Sequence, residues 1–249
     1  MLILLPPSET KQTRRRGRPV DLDRLSFPEL THTRRAVAHA LAATSEKPDA
    51  ATRLGVSPNL GEEIARNTRL ASAPALPAQD LYTGVLYDAL DVATLEAAAL
   101  RRARRWVVVV SALYGAVRLR DKVAPYRASM AVNLDGLGPL ASAWRPELAR
   151  VLPAAAGRGV VVDCRSSTYV AAWAPDAELA RRWVQIRVPG ATHMAKHTRG
   201  LVTRALCEAG VDARTPARLA EVLEPGFEVA LHEPARAGRP WILDTTVRA

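Results

Sequence analysis

Cysteine and lysine are scarce in this chain, and it has no long hydrophobic run. The two cysteines, Cys164 and Cys207, lack CxxC or other metal-ligand spacing, which excludes a disulfide framework and a zinc ribbon and indicates free thiols in a reducing compartment. The apolar start Leu2–Leu5 is stopped by Pro6 and Pro7, so it has neither the length nor the basic flank of a membrane span or signal peptide. We therefore expect a soluble, cytoplasmic protein with no membrane partner.

The common cofactor and catalytic motifs are also absent. The sequence has no GxGxxG after a strand, no GxxxxGK[ST], no GxSxG and no HExxH, which leaves dinucleotide enzymes, P-loop NTPases, α/β-hydrolases and zincins without local support. His193 and His197 are four residues apart, a spacing that can place two imidazoles on a metal, but no carboxylate accompanies them. We therefore predict neither a metal ion nor any other cofactor, and the two histidines are as well explained by a polar helix surface.

Positive charge is in excess and unevenly distributed. The chain has 35 Lys and Arg against 25 Asp and Glu, a formal charge of +10. Segments 10–35, 101–127 and 181–204 contain 8, 8 and 6 basic residues against 3, 1 and 0 acidic ones. This asymmetry indicates a positive surface or cleft. The alternative is that these are ordinary solvated charges on surfaces and loops. An arginine- and alanine-rich composition is also what a GC-rich coding sequence produces, so part of the positive charge can arise without a binding partner.

Hydrophobic patterning predicts a mixed α/β fold. Short apolar runs rich in β-branched residues predict buried strands, and Ala/Leu/Arg stretches with helical periodicity predict helices between them. The predicted strands are 2–5, 106–110, 159–164, 183–188, 227–231 and 240–243, and the predicted helices are 32–43, 60–70, 94–104, 139–151, 194–208 and 215–222. The last two strands flank a turn and predict a hairpin. No repeat or linker divides the chain, which we interpret as a single domain over residues 1–249.

Polar segments follow three of the predicted strands, at 6–11, 111–118 and 165–169. Binding sites of α/β sheets lie at the carboxyl ends of strands, where such loops converge. If these strands are parallel neighbours, we expect one cleft to contain Ser8, Lys11, Ser111, Tyr114, Arg118, Ser166 and Tyr169. The alternative is that these hydroxyl groups cap helices or satisfy loop backbone.

Taken in chain order, these segments resemble the YaaA peroxide stress proteins, a bacterial family with an α/β architecture called the cantaloupe fold. The matching positions are Pro7-Ser8-x-x-Lys11, Tyr82-Thr83-Gly84, Ser111-x-Leu113-Tyr114-Gly115-x-x-Arg118, Asp121, Pro125-Tyr126-Arg127, Met130, Ser166-x-x-Tyr169 and Lys196-x-x-Arg199-Gly200. Each motif is weak alone, but their order and spacing extend along most of the chain and make the resemblance specific.

The resemblance implies a cytoplasmic protein that keeps unincorporated iron low under hydrogen peroxide stress and so limits radical damage to DNA. It also implies DNA binding through a positive cleft and a helix-hairpin-helix-like element, for which residues 54–70 are the best candidate. Such hairpins bind phosphate through backbone N–H groups at a helix N-terminus. The stretch from Leu54 to Gly61 is equally compatible with a plain turn between helices in which Pro58 lies near N1.

Two positions depart from the better-known members of that family. Ser129 stands where they carry a glutamate before the methionine, and the turn Ser166-Ser167-Thr168 replaces a turn that carries acids. Iron requires hard oxygen or imidazole ligands, and general acids and bases are commonly carboxylates. A cleft rich in hydroxyl groups and cations is better suited to phosphate oxygens than to iron.

Two functions remain open at this stage. The first is a non-enzymatic DNA-associated stress protein, for which the predicted binding residues are Ser8, Lys11, Tyr82, Thr83, Gly84, Ser111, Tyr114, Gly115, Arg118, Tyr126, Arg127, Ser166, Tyr169, Lys196 and Arg199. The second is an enzyme acting on nucleotides or nucleic-acid bases, with Lys11 or Lys196 as nucleophile or base and Tyr114 as a further catalytic candidate. An enclosed pocket of base size favours the enzyme, whereas a long groove favours the DNA-binding protein.

Overall fold

The computed structural model describes residues 1–176, 178–190 and 193–248, without the side chain of His193. The strands are β1 (Leu2–Leu5), β2 (Leu76–Pro77), β3 (Val107–Ser111), β4 (Gly115–Arg118), β5 (Lys122–Val123), β6 (Asn133–Leu134), β7 (Gly138–Pro139), β8 (Val161–Asp163), β9 (Trp183–Arg187), β10 (Phe227–His232) and β11 (Trp241–Val247). The α-helices are α1 (Thr31–Ser45), α2 (Ala50–Leu54), α3 (Gly61–Arg66), α4 (Ala78–Leu81), α5 (Val85–Leu90), α6 (Ala97–Trp106), α7 (Leu140–Ala156), α8 (Ser167–Val170), α9 (His193–Ala209) and α10 (Pro216–Leu223). The predicted mixed α/β fold is confirmed.

A seven-stranded mixed sheet forms the centre of the protein, with strand order β10-β11-β9-β8-β1-β3-β4. The neighbours β11, β9, β8, β1 and β3 are parallel, and the two edge strands are antiparallel to the strands they pair with. Every residue of β1, β3 and β8 is buried. Because alternate residues of a strand point to opposite faces, both faces of the central sheet are covered.

Six strands and six helices lie where the sequence pattern predicts them, most of them within three residues at each end. The predicted C-terminal hairpin also forms, with Phe227 opposite Val247 and His232 opposite Ile242. One predicted helix, 60–70, is shorter than expected: α3 ends at Arg66 and a 3-10 turn follows. The helices α2, α4, α5 and α8 were not predicted, because four to six residues are too few to establish a 3.6-residue period.

The most consequential difference is the hairpin formed by β3 and β4, since the pattern predicted only a polar loop after β3. The chain reverses through three residues so that Ser111 pairs with Gly115. Gly115 has φ of +70°, and a Cβ there would lie 2.5 Å from the Trp144 ring. A glycine is therefore required by both the backbone and the packing. As a result β4 runs back along β3, and Arg118 lies opposite Val108, near the amino end of that strand.

Several arginines serve the interior of the fold. Arg34 is fully buried and donates hydrogen bonds to the backbone oxygens of Ser26 (2.7 Å), Tyr114 (2.9 Å) and Ala116 (2.8 Å). Arg165 is also fully buried and forms an ion pair with Asp163. Part of the basic excess therefore stabilises loops through buried carbonyl groups and does not contribute to a positive surface. No helix in the described ranges is long and apolar enough to cross a membrane.

Candidate functional site: a cationic cavity at the carboxyl ends of the strands

A cavity of about 530 Å³ lies beyond the carboxyl ends of β1 and β8. The segment 6–11 after β1, residues 166 and 169 after β8, and the first turns of α9 after β9 all contribute to its walls. The predicted binding residues that line it are Ser8, Lys11, Thr83, Gly84, Arg127, Ser166, Tyr169, Lys196 and Arg199. The parallel order of β8, β1 and β3 brings the loops after β1 and β8 together, as expected for this kind of sheet.

The loop after β1 is held against the segment 81–84. Ser8 Oγ accepts a hydrogen bond from the backbone N–H of Thr83 at 3.1 Å and donates to the carbonyl oxygen of Thr10. Lys11 forms an antiparallel bridge with Tyr82, and Gln12 N–H donates to the carbonyl of Leu81 at 2.9 Å. This pairing fixes the backbone of the loop and explains why the Pro-Ser-x-x-Lys and Tyr-Thr-Gly motifs occur in the same cavity.

Lys11 is partly buried, with its ammonium group held among carbonyl oxygens and aromatic rings. Nζ donates to the carbonyl oxygens of Ser8 (2.7 Å) and Glu9 (3.3 Å), and it lies 4.4 Å from the ring centroid of Tyr126. Burial, and next the positive charge of Arg127, lower the pKa of Lys11 from 10.5 to about 7. Lys11 is therefore a lysine with a substantial neutral fraction near neutral pH.

Beneath Lys11 lies a layer of buried hydroxyl groups. The Tyr126 hydroxyl and Ser111 Oγ are 2.8 Å apart, and Ser111 Oγ also accepts from the backbone N–H of Tyr114. The ring centroid of Tyr82 lies 5.9 Å from Lys11 Nζ, and its buried hydroxyl has no hydrogen-bond partner among the described residues. Burial raises the pKa of Tyr82 and Tyr126. Ser111, Tyr82 and Tyr126 thus support the floor of the cavity and do not line it.

Arg127 is positioned by residues that the sequence analysis did not identify. Its guanidinium lies 3.3 Å from Glu63 and 3.9 Å from Glu9. Its backbone N–H donates to Asn67 Oδ1 at 2.8 Å, and Asn67 Nδ2 donates back to the Arg127 carbonyl at 2.9 Å. Asn67 is completely buried. Asn67 and Glu63 lie 60 and 64 residues away along the chain and Glu9 lies farther still, so no local pattern could indicate these contacts.

Helix α9 supplies Lys196 and Arg199 to the same cavity. Lys196 is exposed and forms no salt bridge with any described residue, whereas Arg199 is partly buried and donates to the Ile186 carbonyl at 3.3 Å. The next residue, Gly200, lies against α5: a Cβ there would overlap the Leu86 carbonyl oxygen. This close helix contact brings Lys196 and Arg199 to a wall that also includes part of α5.

Hydroxyl groups occupy the positions where the sequence departs from the better-known family pattern. Ser129 and Ser166 both line the cavity. The loop that carries Ser166 and Tyr169 is held by Arg165, which donates to the carbonyls of Tyr169 (3.2 Å) and Trp173 (2.9 Å). Glu9 is the one acidic side chain in the cavity wall among the described residues, against four cationic ones.

The structure separates three predicted site residues from the cavity, which corrects the expectation of one shared cleft. Arg118 lies at the opposite end of the sheet, where it donates to the Arg105 carbonyl and stacks on Phe27. The Tyr114 hydroxyl bonds with both the N–H and the carbonyl of Ala124, at 3.0 and 3.1 Å. Gly115 packs against Trp144 in the core. All three belong to the unpredicted β3–β4 hairpin, which turns the chain away from the cavity: Tyr114 lies in its turn, and Gly115 and Arg118 are the first and last residues of β4.

In and around the segment 54–70 the structure has two short helices, α2 and α3, joined through Gly55 and a 3-10 turn that begins at Pro58. Gly55 has φ of +61° and ends α2, and Gly55 and Val56 line the cavity. That this segment is a helix-hairpin-helix-like element, and that it binds DNA, both stay predictions. The predicted His193–His197 pair involves a side chain outside the described residues. Within residues 1–176, 178–190 and 193–248, no three His, Cys, Asp or Glu side chains form a group that could hold a metal ion.

The fold and the site together define an α/β protein with a cationic cavity at the carboxyl ends of its parallel strands. Residues 1–232 match the family of peroxide stress protein YaaA, and this chain belongs to that family. A UPF0246 protein of Streptomyces coelicolor is 47% identical over 256 residues, which covers 99% of this chain and 98% of that protein. UPF0246 proteins of Corynebacterium efficiens and Paracidovorax citrulli are 37% and 30% identical and cover 94% and 82% of this chain, 96% and 84% of their own.

Proposed function

We propose that the protein defends the cytoplasm against hydrogen peroxide, that it helps to keep unincorporated iron low, and that it limits oxidative damage to DNA. It does so while bound to nucleic acid through phosphate contacts at the cationic cavity. Membership of the peroxide stress protein YaaA family supports the stress role.

One observation supports phosphate binding most directly, namely the composition of the cavity wall. The wall of the cavity contains four cationic side chains, a single carboxylate, and hydroxyl groups from the loops after β1 and β8. The cationic side chains are those of Lys11, Arg127, Lys196 and Arg199. Guanidinium and ammonium groups with neighbouring hydroxyls are the side chains that bind phosphate oxygens. The same wall repels iron cations and offers them few carboxylate ligands. We therefore propose that the protein influences iron levels through its action on nucleic acid and not by binding iron in this cavity.

Lys196 provides the clearest test, because it is exposed and its removal breaks no described salt bridge. Wild-type affinity for a short duplex, measured by fluorescence anisotropy, is expected to fall with salt at a log–log slope of about −4 to −5 if roughly five phosphates are contacted. Lys196→Ala should weaken binding about 5-fold and reduce the slope by about one unit. The matched control is Lys122→Ala, since Lys122 is an exposed lysine on β5 outside the cavity wall.

The same variants are tested in cells that lack the wild-type gene, by survival in hydrogen peroxide and by chelatable iron. Lys196→Ala should complement less well than Lys122→Ala and leave more chelatable iron. Salt-independent binding, or identical behaviour of the two variants in both assays, would contradict phosphate binding at this cavity.

A second candidate function is an enzyme acting on nucleotides or nucleic-acid bases, and a specific observation favours it. The cavity is enclosed on several sides and its volume of about 530 Å³ lies in the range of small-molecule sites. It contains Lys11, whose pKa is lowered to about 7 by burial and by Arg127. Lys196 is exposed, and Tyr114 lies outside the cavity, so this candidate function depends on Lys11.

A further inference from the structure

We propose that Lys11 Nζ forms a covalent imine with the aldehyde carbon of a ring-opened sugar phosphate that occupies the cavity. This inference rests on the proposed function in one respect, because it requires the cavity to bind phosphate. The aldehyde has two possible sources: an abasic deoxyribose within DNA, and a free sugar phosphate.

The position of Lys11 meets the first requirement, which is a fixed amine in the wall of a cavity. A neutral amine has two N–H groups and one lone pair. The carbonyl oxygens of Ser8 and Glu9, at 2.7 and 3.3 Å from Nζ, can accept both N–H groups. The nitrogen lone pair then remains available to attack a carbonyl carbon. The Tyr126 ring face, 4.4 Å from Nζ, also stabilises a positively charged nitrogen after reaction.

The charge state of Lys11 meets the second requirement. The groups that face its amine are Arg127, Glu63 and Glu9, together with the rings of Tyr82 and Tyr126. Burial and Arg127 outweigh the two carboxylates, and the pKa falls to about 7. About half of the amine is therefore neutral at pH 7, whereas a lysine of pKa 10.5 is neutral in only about one molecule in 3,000. Nucleophilic lysines require this kind of activation.

The cations around Lys11 meet the third requirement, which is recognition of a phosphate that carries the aldehyde. Arg127, which precedes β6, and the pair Lys196 and Arg199 on α9 share the cavity with Lys11. A volume of about 530 Å³ accepts one sugar with its phosphates but not a DNA duplex. A nucleotide in DNA would therefore have to leave the helical stack, which is easiest where the base is already missing.

The reaction balances without an oxidant or a reductant. The Nζ lone pair attacks the aldehyde carbon, a C–N bond forms, and the π electrons of the carbonyl move to its oxygen, which gains a proton. The nitrogen loses a proton, which gives a carbinolamine. The hydroxyl group then takes up a second proton, the C–O bond breaks and water leaves, and the nitrogen lone pair forms the C=N bond. The resulting protonated imine becomes the neutral imine when it loses its remaining N–H proton. Amine and aldehyde thus give imine and water.

The test is reductive trapping of the full-length protein. A labelled duplex with one abasic site, the same duplex intact, and labelled deoxyribose 5-phosphate are each incubated with protein and sodium cyanoborohydride, which converts an imine to a stable secondary amine. Covalent complexes are separated under denaturing conditions and mapped by peptide mass spectrometry. We expect an adduct on Lys11 with at least one of the two aldehydes and none with the intact duplex; the aldehyde that reacts identifies the source.

Two variants test whether Lys11 is responsible. Lys11→Arg places a guanidinium, which cannot form the imine, at the same position, so trapping should be lost. Lys122→Arg, which changes an exposed lysine outside the cavity wall, should be trapped like the wild type. If Lys11→Arg is misfolded by circular dichroism, the mapped residue in the wild-type adduct decides the question.

The pH dependence adds a measurement that a merely structural lysine would not affect. The trapping rate should rise with pH to a midpoint at or above about 7 and well below 10.5, because a bound phosphate raises the pKa of a nearby amine. An adduct on any other lysine, or undiminished trapping of Lys11→Arg, overturns the inference. Duplex binding without any trapping overturns the inference alone, and absence of both binding and trapping overturns the proposed function as well.

Discussion

The contact between α5 and α9 should be highly sensitive to substitution at Gly200. A Cβ at this position would overlap the carbonyl oxygen of Leu86 and lie only 2.8 Å from Ala89 Cβ and 3.1 Å from the Leu86 carbonyl carbon. Carbon atoms pack at about 3.5–4.0 Å. Two of the three obstacles are backbone atoms, which cannot move aside by a rotamer change, so Gly200→Ala must push the helices apart.

The size of the effect follows from the cost of overpacking. Such insertions into a packed interior destabilise a protein by about 1–3 kcal/mol. For a chain of this length, each kcal/mol shifts the midpoint of thermal unfolding by about 2–4 °C, so we expect Tm to fall by about 2–12 °C. On α9, Lys196 lies about one turn before Gly200 and Arg199 is the residue directly before it. Displacement of α9 should therefore also weaken duplex binding.

The assay compares thermal unfolding by circular dichroism with duplex affinity by fluorescence anisotropy. The control is Gly61→Ala at the start of α3, where φ is −53° and a Cβ would meet no atom within 4 Å. That variant should retain the wild-type Tm or gain slightly, since alanine restricts the unfolded chain. If Gly200→Ala matched Gly61→Ala in both measurements, the argument from helix contact would be refuted.

Two further predictions concern buried titratable groups. Lys11 has a pKa of about 7 in the folded protein and about 10.5 when unfolded. Between these two pH values the unfolded chain binds one more proton than the folded protein. The free energy of unfolding therefore rises with pH, by up to about 1.4 kcal/mol per pH unit. Lys11→Met should remove this rise, and urea titrations at pH 6.5 and 9 that show parallel behaviour of variant and wild type would contradict it. Burial raises the pKa of Cys164 and Cys207 to about 12, so iodoacetamide at pH 8 should modify neither thiol in the folded protein and both in urea; fast modification of the folded protein, followed by mass spectrometry, would argue against inert core thiols.

The sequence was sufficient to predict the longer elements but not the short ones. β1 forms at the predicted residues, where four consecutive apolar side chains precede Pro6 and Pro7 and all four are buried in the central sheet. Thr215 is the N-cap of α10, with its hydroxyl accepting from Arg218 N–H, and Glu96 is the residue that precedes α6. Short helices and the β3–β4 hairpin depend on contacts made elsewhere, such as the Trp144 ring against Gly115.

The candidate site divides in the same way. The polar segments after the strands selected Ser8 and Lys11, and the family resemblance added Arg127, Lys196 and Arg199; the structure places all five at one cavity. Glu63 and Asn67, which contact Arg127, were not selected, because each lies about 60 residues away from it along the chain. Arg118 was selected wrongly as a cavity residue, because the direction of the chain after β3 could not be deduced from its polar sequence.

The sequence by itself therefore determined the fold class, the family and the chemical character of the site, because these depend on residue type, periodicity and motif order. The tertiary structure alone decided which cations share a cavity and which are used in the core. It also decided that Lys11 is the lysine with a lowered pKa while Lys196 remains exposed. The physical reason is that burial and electrostatic environment arise from groups distant in the chain, such as Tyr126 and Arg127 around Lys11.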